Sequence, residues 1–81
     1  MKKIEVLGVG CPNCKKTEAL IRQVTDKLGW QDGADFELTK VTSPNDIASY
    51  GILATPGVVI DGKVVHSGKV PSKGMIERWL A

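Results

Sequence analysis

Cys11-Pro12-Asn13-Cys14 is the segment of this 81-residue chain best equipped for chemistry. A thiolate is a nucleophile, a soft metal ligand and one half of a disulfide. As a staple the pair is weak. Closing a loop of about four residues constrains the unfolded chain by only roughly 2 kcal/mol. Two cysteines at this spacing therefore suit reactivity better than structure. Gly8 and Gly10 precede them, and a helical pattern follows. Pro12 fits the first helical position, where a missing N–H costs nothing. A helix start carries unpaired N–H groups and partial positive charge. The N–H groups of Asn13 and Cys14 are expected to point at the Cys11 sulfur, with Lys15 and Lys16 adding charge from a solvated helix face. These effects, worth roughly 0.3–2 kcal/mol, favour the Cys11 thiolate. Cys14 falls one turn deeper at a disulfide-compatible spacing, and is expected to stay protonated until needed. The implied exchange has Cys11 attacking a disulfide and Cys14 resolving the mixed disulfide.

A second segment, Ala54-Thr55-Pro56-Gly57, comes immediately before two β-branched runs. Proline cannot donate to a central ladder, so Pro56 belongs at the first residue of a strand. The plain reading is a strand-entry proline. The sharper one is a cis proline beside the cysteines, which composition alone does not support.

The elements that must position these residues follow from periodicity. Residues 3–9 read as a buried strand. From Pro12 to Leu28 the positions Ala19, Leu20, Ile21, Val24 and Leu28, with Thr17, recur at helical spacing, and Gly29 ends the helix. Residues 35–41 alternate as a second strand. Ser43-Pro44-Asn45-Asp46 reads as a helix start, with Ser43 as cap, and Gly51 closes that short helix. Gly57–Ile60, Asp61-Gly62 and Lys63–His66 form a hairpin signal. Ser72 caps a last helix with Met75, Ile76, Trp79 and Leu80 on one side. The order β-α-β-α-β-β-α predicts one α/β domain over residues 1–81, a mixed sheet covered by helices.

Composition narrows the function. Net charge is +2, with acids and bases interspersed and no basic run, so nucleic acid is not an expected partner. No apolar run approaches the roughly 20 residues of a membrane helix, and no signal-peptide pattern opens the chain. A cytoplasmic monomer is the expectation, in a compartment where a Cys-x-x-Cys is redox-active or metal-binding rather than structural. His66 and Asp26 read as surface residues; Trp30, Trp79 and Tyr50 read as packing.

The strand–Cys-x-x-Cys–helix unit, then Thr55-Pro56 before a hairpin and a C-terminal helix, resembles the thioredoxin/glutaredoxin superfamily over residues 3–80. It is most similar to the short thioredoxin-like redox-active disulfide proteins. The resemblance implies a minimal thioredoxin-like fold, and Cys11 as nucleophile with Cys14 as resolving thiol. It implies a cis Pro56 against the sulfurs, and substrate contacts at Gly10, Thr55 and Gly57. Pro12, Asn13 and Lys15 would support the site. It also implies no cofactor beyond a Cys11–Cys14 disulfide, and as partners protein disulfides and an unidentified reductase. Departures are Gly10 where the family has tryptophan, and a Pro-Asn pair between the cysteines. Residues 67–72 lack the Gly-Gly and acidic segment that glutaredoxins use, which argues against glutathione. Glu5 stands where full thioredoxins carry a buried acid. It is read here as a solvated or edge-facing strand glutamate, with a proton relay from Cys14 as the alternative.

The competing reading is a soft-metal module, binding Cu, Zn or an iron–sulfur cluster through the same cysteines. Small metallochaperones place strand–strand–helix–strand after the first helix and carry a methionine where Val9 stands. This chain reads instead as strand–helix–strand–strand–helix.

Overall fold

The computed structural model describes residues 2–10, 12–52 and 54–81. Cys11 and Leu53 lie outside the described residues, as does Met1. The elements are β1 (Lys2–Leu7), α1 (Pro12–Lys27), β2 (Phe36–Val41), α2 (Pro44–Ser49), β3 (Gly57–Ile60), β4 (Lys63–Ser67) and α3 (Lys73–Leu80). Their order is the one periodicity predicts. It differs from that of the competing metal module, whose second strand would follow the first helix and pair onward without an intervening helix.

The four strands form one sheet in the order β2-β1-β3-β4. β1 runs parallel to β2, with Val6 opposite Lys40, and antiparallel to β3, with Leu7 opposite Gly57. Period-two alternation then sorts the side chains of β1 between two faces. Ile4 and Val6 join Ile21 and Val24 of α1 and Ile76 and Leu80 of α3 in one cluster. Leu7 joins Ile47 of α2 and Val59 in the other. Helices α1 and α3 thus cover one face, and α2 covers the opposite one.

Local chemistry explains the boundaries. Gly29 has φ +76°, and the pair Trp30 N–H to Thr25 O (2.9 Å) and Gly29 N–H to Asp26 O (3.0 Å) closes α1 in a Schellman motif. Asp61 (φ 51°) and Gly62 (φ +83°) make the two-residue β3–β4 turn. Val58 pairs with His66 but Val59 with Val64, so Val65 is an extra residue in a bulge. Ser72 accepts a hydrogen bond from Met75 N–H (3.2 Å) and caps α3.

Several expectations need correction. The first strand ends at Leu7 rather than at residue 9, because residues 8–10 bend away, although Gly8 N–H still reaches Val41 O (3.0 Å). The second strand begins at Phe36, since Asp35 turns back to accept from Gln31 N–H through its carboxylate (2.8 Å). Ala19 and Leu28 are exposed. The buried stripe of α1 is Cys14, Thr17, Ile21, Val24 and Thr25, and the two threonine hydroxyls are satisfied by the carbonyls of Asn13 and Arg22. Ser43 stands at the N-cap of α2 but its side chain makes no capping bond. His66 is half-buried rather than a free surface group: its ring lies 5.7 Å from that of Trp79, and Nε2 is 2.9 Å from Lys69 O.

Candidate functional site

The site forms where β1 hands over to α1. Cys14 is only 6% exposed, held on the sheet side of α1 by the same stripe that buries Thr17 and Ile21. Its sulfur is disulfide-bonded. Gly8 lies directly beneath it. A Cβ added at Gly8 would overlap Cys14 Sγ and come within 3.1 Å of Cys14 Cβ. The same point is 3.8 Å from Thr55 Cβ. So Gly8, Cys14 and Thr55 meet at one spot, although they come from the bend after β1, from α1 and from the segment entering β3. The Thr55–Pro56 peptide is cis, and Pro56 is fully buried. Pro56 O accepts from Gly68 N–H (2.9 Å), which ties the β4–α3 loop to this segment.

The other sequence candidates distribute around this point. Pro12, Asn13, Lys15 and Lys16 are exposed on the first turn of α1. Gly10 is exposed with φ +82°, a backbone conformation that favours glycine, and Val9 beside it is 63% exposed. Gly57 is buried. The space above its Cα belongs to Leu7 and Ile52, whose Cδ1 would sit 2.7 Å from an added Cβ. Cys11 lies outside the described residues.

A cavity of about 140 Å³ opens on the β2 flank of Cys14. It is lined by Val6, Gly8 and Cys14, by the charged Lys15, Glu18 and Lys40, and by Gly10 and Thr42. Glu18 is held from two sides. Its Oε1 is 3.3 Å from Lys40 Nζ, and its Oε2 is 3.4 Å from Arg22 Nε. Sequence reading singled out neither Glu18 nor Lys40. A cue existed for Glu18, which follows Cys14 by four residues and so shares its helix face. None existed for Lys40, which arrives through the parallel pairing of β2 with β1.

Glu5 is neither solvated nor at an edge. It is half-buried on an interior strand and accepts a hydrogen bond from Tyr50 OH at 2.6 Å. Tyr50 caps α2, so Glu5 faces the α2 side of the sheet, whereas Cys14 packs on the α1 side. The sheet stands between them, which removes the geometric basis for a direct relay.

Tyr50 ionises above the ordinary 10.0, first because its hydroxyl donates to Glu5, then through burial and the charges of Glu5 and Asp46. A raised tyrosine stabilises the fold below pH 10 and loses that contribution as pH climbs through the raised value. Tyr50 is the sole tyrosine. Tyrosinate absorbance is therefore expected to titrate with a midpoint above 10.0 in the wild type and closer to it in Glu5→Gln. Equal midpoints would mean that the Glu5 carboxylate does not set the ionisation.

A family model described as a thioredoxin domain matches residues 2–81. The chain belongs to the thioredoxin family. It is 39% identical over 80 residues to a protein named thioredoxin from Methanocaldococcus jannaschii, covering 99% of this chain and 87% of the relative. It is 35% identical over 81 residues to a thioredoxin from Methanothermobacter thermautotrophicus, covering both chains fully. A second thioredoxin of M. jannaschii is 28% identical over 68 residues, 83% of this chain and 78% of that one. In this family member the mixed four-stranded sheet and three helices make the α/β thioredoxin-like arrangement that the sequence resemblance implies. No helix among the described residues is long and apolar enough to cross a membrane.

Proposed function

We propose that this protein is a thiol–disulfide oxidoreductase acting on protein disulfides. The observation that carries the reading is the meeting of buried Cys14 with Thr55 at Gly8, at the start of a helix, in a chain of the thioredoxin family. The Cys11 thiolate attacks one sulfur of a substrate disulfide. A Cys11–substrate disulfide forms and the other substrate sulfur leaves as a thiolate. Cys14 then attacks Cys11 Sγ, the Cys11–Cys14 disulfide forms, and the second substrate thiol is released. Two electrons pass from the protein to the substrate, and a reductase or external dithiol restores the Cys11/Cys14 pair. No further cofactor is needed, because the dithiol carries both electrons. In this reading Thr55, which meets Cys14 at Gly8, contacts the substrate chain, and Gly10 leaves the approach unobstructed.

Equilibration against dithiol redox buffers, with alkylation of the remaining thiols, tests this. The expected result is one two-electron couple between roughly −120 and −270 mV. Thiols that never pair, or that emerge from anaerobic purification bound to metal, would overturn it.

A further inference from the structure

The cavity on the β2 flank of Cys14 plays no part in the exchange described so far. Its lining is mostly apolar and includes three charged side chains. Their charges do not cancel. Glu18 is 18% exposed, with its two oxygens directed separately at Lys40 and Arg22. Lys15 pairs with no carboxylate among the described residues. The cavity therefore presents excess positive charge beside a buried sulfur. Its volume of about 140 Å³ is close to that of a cavity of about 150 Å³ that takes benzene, so a carboxylate on two or three carbons fits. Exposed Gly10, with nothing within 4 Å of an added Cβ, leaves the rim of the cavity open.

We infer that this cavity is a subsite for an anionic group carried close to the scissile sulfur, so that disulfides with a neighbouring carboxylate are preferred substrates. The inference rests on the oxidoreductase reading and names the substrate class of that same site. A substrate lying across Cys14 would meet Thr55 on one flank and place its carboxylate between Lys15 and Lys40 on the other. The apolar lining takes the carbons, and the lysine ammonium groups take the charge. Glu18 contributes by holding Lys40 at the wall. The chemistry of exchange is unchanged; only the choice of disulfide is affected.

The test compares two small disulfides of similar size, that of mercaptopropionate and that of mercaptoethanol. The reduced protein is reacted with each, and the ratio of rate constants is divided by the same ratio for dithiothreitol. The expected ratio favours the carboxylate about threefold, the gain that one exposed ion pair can supply, and it declines as salt is added. Lys15→Gln should remove most of the preference and Lys15→Arg should keep it. Lys63→Gln, on β4 and outside the cavity, should leave it intact. A wild-type ratio equal to that of dithiothreitol overturns the subsite. So does an equal loss in Lys63→Gln, which would reduce the effect to overall charge. If neither disulfide reacts faster than with an ordinary thiol, the oxidoreductase reading itself fails, and that outcome is distinct from the other two.

Discussion

Cys14→Ser should stop turnover after a single attack and leave the protein joined to its substrate. The proposed nucleophile Cys11 is untouched in this variant, so a mixed disulfide should still form at a normal rate. What is lost is the neighbouring sulfur that breaks it. An intramolecular thiol acts at an effective concentration of at least several molar. An external thiol at about 1 mM therefore resolves the adduct roughly a thousandfold more slowly or worse. Intact-mass spectrometry should show the adduct accumulating in stoichiometric amount, while the wild type shows none at steady state. Cys11→Ser should show neither adduct nor reduction. If Cys14→Ser turns over like the wild type, Cys14 is not the resolving thiol. If Cys11→Ser still forms the adduct, the two roles are reversed.

Gly8→Ala carries the second large effect, and it acts through Cys14. Gly8 does not occupy the positive-φ region, so alanine suits its backbone and even restricts the unfolded chain slightly. The entire penalty comes from contact. A methyl group at Gly8 would occupy the space of Cys14 Sγ. That sulfur is disulfide-bonded and cannot rotate aside. Overpacking of this kind costs about 1–3 kcal/mol. Urea denaturation should show that loss in the oxidised protein, and most of it should vanish in the Gly8→Ala/Cys14→Ala double variant, because neighbours in contact do not act additively. Reduction frees the Cys14 side chain to move. The substitution should therefore favour the dithiol and raise the redox potential by about 20–60 mV. A stability loss that persists without Cys14 would place the clash elsewhere.

The same contact shows where sequence reading stops. Gly8 looks like a strand breaker before the cysteines, and its neighbour Gly10 gives the same signal. Only Gly10 has the backbone conformation that favours glycine; Gly8 is small because a sulfur from α1 rests on it. The two glycines are alike in sequence and differ in cause. Glu5 makes a related point. Its place in β1 is legible, but the direction it faces depends on β1 being interior to the sheet and on α2 crossing the far side, where Tyr50 receives it.

What the sequence determined by itself is local or nearly so: the Cys11-Pro12-Asn13-Cys14 unit at a helix start, the Asp61-Gly62 turn, the Gly29 terminator, the Ser72 cap and the order of seven elements. Each depends on backbone preferences and side-chain spacing within about one or two turns of chain. The tertiary structure alone decided that Thr55 would stand beside Cys14, that Lys40 would wall a cavity with Glu18, and that Glu5 would turn away from the sulfur. Those placements follow from strand order and from the register of β1 against β2 and β3. A parallel pairing such as Val6 with Lys40 is set by summed burial over both faces of the sheet, a quantity that belongs to the assembled fold and to no single segment of it.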